Sequence, residues 1–412
     1  MEAVQNLNSL SVKSSPSPQS ASEGKDPDME SVCSNAASRV EIERLLEGVP
    51  SDDTKNAVSR TDLPPLYQDV ERGELLCDNY EALEYRASSY RTSAILCRDV
   101  RSNRTVILKM FKDITGHYER DHERVIMDIV SDARGVQTGR FARLMDSVDH
   151  GIRPCLVFEA YGMTLKELQS VPYMRPFSFR HLQEWTIQLA EGISFLHSNG
   201  IIHTDIKLEN IVVESNNAVN IYGFCHTSKF SLKTILVSSA IRIIDLGGAA
   251  LMTERHAYLS GTPLYRAPEV TLKMEWGYAV DTFGAGLVIA EMFGGSPLFY
   301  EVDDNMERLA AMERMLGPFP KKFAMEIERT NKGVFRKSGT AWHVDYPQAR
   351  CIHRPDHEHI VGRLARLRPL DVMIGYAPLC SLIRRMINVN PESRIPIQEV
   401  AQHPFCAAQY TF

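Results

Sequence analysis

The sequence predicts an α+β fold in which strand-forming stretches come first and helix-forming ones follow. Three observations carry this. "RTVILKMFK" and "PCLVFEAYG" read as strands bounded by polar turns, and both lie in the first half of the chain. "SFRHLQEWTIQLAEGISFLHSNG" repeats apolar residues at helical spacing and ends on a glycine, so it reads as one long helix. Residues 1 to 62 are instead rich in Ser, Asn, Pro and acid, which sets them apart as a leader.

The leader holds 11 acids and 6 bases and therefore carries most of the net charge of −6. Such a segment buries too little apolar surface to offset its chain entropy, so disorder is expected. Within it, "SRVEIERLLEG" pairs Ser38 with Glu41 as a capping box and stops at Gly48 and Pro50. That pattern fits either a short docking helix or an isolated, marginal one. From Leu63 to Phe405 the pattern is dense and globular, with no internal repeat.

Composition excludes several classes. With 44% hydrophobic and 24% charged residues in 412, the chain resembles an ordinary soluble protein, and its acidic balance offers no electrostatic case for nucleic acid. The first residues lack a basic region followed by an apolar run, so export is not expected. "GYAVDTFGAGLVIAEMFGGSPLF" carries Asp281, Glu291 and four internal glycines, which argues for a buried helix rather than a membrane span. The expectation is a soluble intracellular monomer. The eight cysteines are scattered, without metal or redox spacing, and read as reduced thiols. "CIHRPDHEHI" gathers Cys351, His353, His357 and His359, but its Pro, Asp and Arg content reads as a solvated loop rather than a zinc site.

The chemistry concentrates in "HTDIKLEN", His203 to Asn210, with the apolar "IVV" directly after it. Alone, such a run is common on surface loops. Upstream, however, "VILK" ends in Lys109; downstream stand "IRIIDLGGAA" with Asp245, and "GTPLYRAPEV" with Ala267, Pro268 and Glu269. In this order and spacing the set resembles the protein-kinase series of strand lysine, catalytic loop, metal-binding Asp-x-Gly and closing Ala-Pro-Glu. The resemblance implies a two-lobed fold, with a small strand-rich lobe carrying one helix (about 75–159), a connection at 159–162 and a large helical lobe (163–406).

It also implies roles, because phosphoryl transfer is mainly positioning and charge neutralisation. Asp205 would accept or orient the proton of an attacking hydroxyl, and Lys207 would reach the transferring phosphate. Lys109 would meet the α and β phosphates of ATP, and Asn210 and Asp245 would offer oxygens to Mg²⁺. Asp281 would bond the catalytic-loop backbone, and Glu269 would pair with Arg394 of "PESRI" in the interior, since an unpaired buried charge is expensive.

The resemblance sharpens at "MERLAAMERMLGPFP", residues 306 to 320, where Glu307 to Arg314 is similar to the EHLAMMER signature of the LAMMER (CLK) dual-specificity kinases. "HTD", "YRAPEV", "DHGIRPCLVFEAYG", the long segment between Val213 and Ala240, and "EVAQHPF" agree with it, so the match covers about residues 63 to 406. The SR-protein kinases are the nearest neighbouring family. This resemblance implies phosphorylation of Ser and Thr in arginine/serine-rich splicing proteins, modification of the chain's own tyrosines, and a nuclear location; the residues themselves leave nucleus or cytoplasm open. Thr204 stands where many kinases carry the arginine that grips an activation-loop phosphate, which implies activity without one.

Two departures bear on function. The glycine-rich pattern falls on Ala87, Ser89, Thr92 and Ala94 of "YRASSYRTSAIL", with no glycine left. Each replacement would cost about 1 kcal/mol if a left-handed backbone were needed. Arg91 at the tip would either meet the triphosphate or face solvent. Matching "HYERDHERVIMDIV" on Tyr118 places Val125 where an acid should pair with Lys109. Glu123 or Asp128 would have to substitute: Asp128 lies one turn further on that face, whereas Glu123 points elsewhere unless the helix takes another register. Leu208 and Leu246, for proline and phenylalanine, keep apolar character. These departures support the alternative of a pseudokinase scaffold; the surviving Lys109, Asp205, Lys207, Asn210 and Asp245 support an active enzyme.

Overall fold

A computed structural model describes residues 70–89, 91–112, 116–132, 139–224, 230–299, 304–346 and 357–409. The leader and its capping-box segment lie outside the described residues, as do Cys351 and His353. Strands β1 (Leu75–Leu76), β2 (Tyr80–Ser88), β3 (Thr92–Asp99), β4 (Arg104–Phe111), β5 (Leu144–His150) and β6 (Arg153–Glu159) form one antiparallel sheet in the order β1-β2-β3-β4-β6-β5. Successive side chains of a strand point to opposite faces. Val106, Leu108 and Met110 of β4 therefore pack with Leu76, Tyr80, Ile95 and Val157 in a small core, while Ile107 and Phe111 face the main core. Lys109 shares the face of Ile107 and Phe111, and this parity aims it into the molecule.

Helix α1 (Gly116–Asp132) packs against that face. Its buried stripe is Glu123, Ile126, Met127 and Val130, spaced as one side of a helix requires, and Val125 is 49% exposed on another side. The expected register, with Val125 facing Lys109, is thus corrected: the apolar residues rotate Glu123 inward.

The larger, helical half begins with α2 (Leu165–Ser170), which a full capping box opens at Thr164 and Glu167. Helix α3 (Phe179–Ser198) starts at Ser178, whose hydroxyl accepts the His181 amide, and buries Leu182, Trp185, Leu189, Ile193 and Leu196. Short strands β7 (Ile201–Ile202), β8 (Ile211–Val213), β11 (Ile241–Ile243) and β12 (Ala250–Leu251) frame the catalytic-loop sequence; between them lies the hairpin β9 (Ala218–Phe224) and β10 (Phe230–Leu236). The one-turn helix α4 (Pro268–Thr271) leads to α5 (Ala279–Gly294), the buried helix expected from its glycine-studded apolar sequence. Among the described residues no helix is long and apolar enough to cross a membrane.

The segment that carries the family signature is α6 (Asn305–Leu316), capped by Asp304, whose side chain accepts the Met306 and Glu307 amides. Leu309, Ala311, Met312 and Met315 are buried, while Glu307 pairs with Arg363 at 2.8 Å and Glu313 accepts from Val344 N at 2.9 Å. The signature is therefore a packing element. Arg363 belongs to α7 (His357–Arg366), which corrects the loop expected there: His357 and His359 open a helix, with Glu358 and His359 exposed. No group of three or more metal-ligating side chains occurs among the described residues, and Cys77, Cys97, Cys155, Cys380 and Cys406 are free thiols.

Candidate active site

Three elements converge on Lys109. Its Nζ lies 2.9 and 2.6 Å from the two carboxylate oxygens of Glu123 on α1, and 2.6 Å from Asp245 Oδ1 just after β11. Burial by itself would lower the pKa of the ammonium, but the carboxylates of Asp245 and Glu123 outweigh it and hold the group charged above the usual lysine value. Burial pushes Glu123 up, against the pull of Lys109. Lys109 draws the Asp245 carboxyl down to about 2, so it is ionised at any physiological pH. Glu123, not Asp128, is the lysine's partner: Asp128 is exposed and stands 3.7 Å from Arg124 on its own helix. The signal was in the sequence, in the stripe Ile126, Met127 and Val130, of which Glu123 is the preceding member.

The catalytic loop is held from below. Asp281 of α5, 1% exposed, accepts the amides of His203 and Thr204, each at 2.8 Å, and lies 2.9 Å from His197 Nε2. Buried polar groups persist when their partners are this complete. With its amide so fixed, Thr204 adopts φ +72°, and its hydroxyl donates to Gly248 O at 2.8 Å, tying the loop to the Asp245 segment. Asp245 is likewise left-handed, at φ 65° and ψ 70°. Such conformations cost about 1–3 kcal/mol each and persist where the surroundings enforce them.

Asp205 is held by donors on both of its carboxylate oxygens. Its Oδ2 accepts Lys207 Nζ at 2.7 Å and its Oδ1 accepts the Thr262 amide at 2.8 Å. Lys207 also reaches Thr262 Oγ1 at 2.9 Å, and Asn210 Nδ2 donates to Asp205 O at 2.9 Å. Burial raises the Asp205 pKa, but Lys207 and the Thr262 donors outweigh it and keep the carboxyl below its ordinary range. Thr262 was missed as a member of this cluster, because nothing local in "GTPLYRAPEV" connects it to a residue 57 positions earlier. The close approach depends on Gly261, at φ +69°, where an added Cβ would lie 2.4 Å from Thr204 O.

The oxygens present suit a hard cation. Lys109 engages one oxygen of Asp245, and among the described residues no donor meets the other; Asn210 donates through Nδ2, leaving its amide oxygen without a donor among them. A carboxylate and an amide oxygen are the ligand types that Mg²⁺ accepts, with few protein ligands beside phosphates and water. Farther off, Glu269 and Arg394 form the expected buried pair, with N–O distances of 2.7 and 3.0 Å and side chains at most 1% exposed. Leu208 and Leu246 are fully within the core.

The β2–β3 hairpin departs from expectation in a benign way. Among its described residues, Ala87, Ser89, Thr92 and Ala94 all avoid positive φ, so the cost foreseen for losing glycine does not arise. Arg91 faces solvent, with its guanidinium on Glu119 in the first turn of α1.

Comparison with known proteins agrees with this geometry. A protein kinase domain model matches residues 91–406. The serine/threonine-protein kinase AFC1 of Arabidopsis thaliana is 28% identical over 343 residues, covering 81% of this chain and 72% of that protein. The dual specificity protein kinase CLK1 of Homo sapiens is 28% identical over 353 residues, covering 82% and 69%. A solved kinase-domain crystal structure superimposes with a TM-score of 0.72 at 22% identity, covering 82% of this chain and 98% of the other, which establishes the likeness of fold. With the protein kinase domain model spanning most of the sequence, the chain belongs to the protein kinase family.

Proposed function

We propose that this kinase is catalytically active and transfers the γ-phosphate of Mg-ATP to serine and threonine hydroxyls of protein substrates. The observation that carries the reading is the three-way junction of Lys109, Glu123 and Asp245, because a lysine so held is in place to meet phosphate. A scaffold that had abandoned catalysis has no need of a buried ion pair set beside a metal-type carboxylate.

In this reading the nucleotide lies between the small lobe, about 75–159, and the large lobe, 163–406, joined at 159–162. Lys109 positions the α and β phosphates. Asn210 and Asp245 would hold Mg²⁺, whose charge would offset that of the phosphate oxygens. Asp205, ionised and fixed by the Thr262 amide, orients the attacking hydroxyl and takes its proton, while Lys207 balances charge beside it. Resemblance to the LAMMER kinases points to arginine/serine-rich splicing proteins as the substrate class, and to the nucleus as the compartment. Transfer of labelled phosphate to an arginine/serine repeat peptide, and to the chain itself, by wild type but not by Asp205→Asn would support this. Absence of transfer from both on several peptides would overturn it.

A further inference from the structure

The hairpin between β2 and β3 is where a glycine-rich loop would present backbone amides to phosphate. Here two of those amides already have an acceptor. Ser89 Oγ accepts from Arg91 N at 3.2 Å and from Thr92 N at 3.0 Å, and it lies 3.1 Å from Thr92 Oγ1. Ser89 N donates across the turn to Thr92 O at 2.8 Å. Lys112 secures the same turn: its Nζ donates to Ser88 Oγ at 2.6 Å and to Ser89 O, and its amide donates to Arg91 O at 2.9 Å. The Arg91–Glu119 pair ties the tip to α1. Tyr90 lies outside the described residues.

An N–H bonded to an oxygen of its own chain is withdrawn from other acceptors until that bond breaks. We infer that the Ser89 hydroxyl stands in for a phosphate oxygen, occupying the Arg91 and Thr92 amides and thereby setting a low affinity of the cleft for nucleotide phosphates. This rests on the nucleotide-binding reading above. Ser89 is a positioning residue: it acts through the amides and not on the reacting atoms. Its backbone is not left-handed, so an alanine fits the same conformation and leaves both amides free. Amide bonds to an ionised oxygen are roughly twice as strong as those to a neutral one, so the freed donors favour phosphate over water.

The test is calorimetric binding of Mg-ATP, Mg-ADP and adenosine to the full chain as wild type, Ser89→Ala and Ser89→Thr, with melting temperatures recorded without ligand. Ser89→Ala is expected to tighten Mg-ATP and Mg-ADP by about five-fold or more, with adenosine unchanged within about two-fold. Ser89→Thr, which keeps the hydroxyl, is expected to stay at the wild-type values. Should Ser89→Ala melt far below wild type, Ser89→Gly carries the same expectation. Adenosine that binds all forms alike, with no gain for ATP in the variant, overturns the inference and leaves the nucleotide reading standing. An equal gain for adenosine overturns it too, because the effect would not depend on phosphate. If none of the three ligands binds any form, the nucleotide reading falls and the inference with it.

Discussion

Lys109 and Glu123 meet across the seam between sheet and helix, the lysine pointing inward by strand parity and the glutamate by helix periodicity. Neither residue could reach the other if β4 or α1 were shifted by one position. Glu123→Gln keeps the shape but removes the charge that steadies the lysine. The expected outcome is a fall in kcat/KM on the order of 10²-fold, as for a small misplacement of reacting groups. Asp128→Asn, on the exposed face, is expected to leave kcat/KM within about two-fold. Steady-state kinetics on one peptide substrate check both.

Asp205→Asn tests the base. The Thr262 amide still finds an oxygen at that position, so the loop keeps its geometry. Turnover is expected to drop by about 10²–10⁴-fold, while the rise in melting temperature caused by Mg-ATP remains. Lys109→Ala should do the reverse for binding, weakening that rise. Thermal denaturation with and without nucleotide separates the two effects.

The same junction has a pH signature. Asp245 is depressed to about 2 in the folded state, so its stabilisation is present above the ordinary carboxylate value and lost as pH falls toward 2. Lys109→Met removes the cause of that depression and strands Glu123, already raised by burial, without its cation. A carboxyl with a raised folded pKa destabilises the fold when ionised and is relieved by protonation. The stability gap between wild type and Lys109→Met is therefore expected to be widest near pH 7 and to narrow by pH 4.5. Urea unfolding at the two pH values measures it.

Breaking the Glu269–Arg394 pair from one side leaves a charge buried without compensation. Glu269→Gln or Arg394→Met is expected to cost about 3–5 kcal/mol, read as a lower urea midpoint. Changing both residues to apolar ones should recover much of the loss, even though two hydrogen-bonding residues are then gone. Recovery would separate the burial of a lone charge from the loss of a contact.

Gly261→Ala would bring a methyl group 2.4 Å from Thr204 O at a backbone angle that alanine disfavours. The strain is expected to cost at least about 1 kcal/mol and to displace the Thr262 amide from Asp205. Activity should consequently fall further than stability does, which kinetics and thermal melting on the same preparation would show.

Most of the candidate site was legible because it is local. Asp205, Lys207 and Asn210 stand within eight residues, and a carboxylate, an ammonium and an amide at that spacing in front of a strand carry their own chemistry. The strand–helix division was legible for the same reason, since period-2 and helical spacings are written in short windows. A match on one tyrosine does not decide between Glu123 and Asp128, because the buried stripe of the helix's own apolar residues sets which side of α1 faces the sheet. Thr262 and the Ser89 bonds lay beyond reach, because they depend on the paths of loops. The start of α7 was hidden by the prolines and charges just before it.

The bond from Thr204 to Gly248 joins the 203–210 loop to the Asp245 segment through a neutral hydroxyl, at the position where many kinases carry an arginine. A hydroxyl bond of this kind has no charge to be switched on, and neither a phosphatase nor ordinary changes in acidity will undo it. The link is set by the fold itself: this junction between the two segments closes without any added charge.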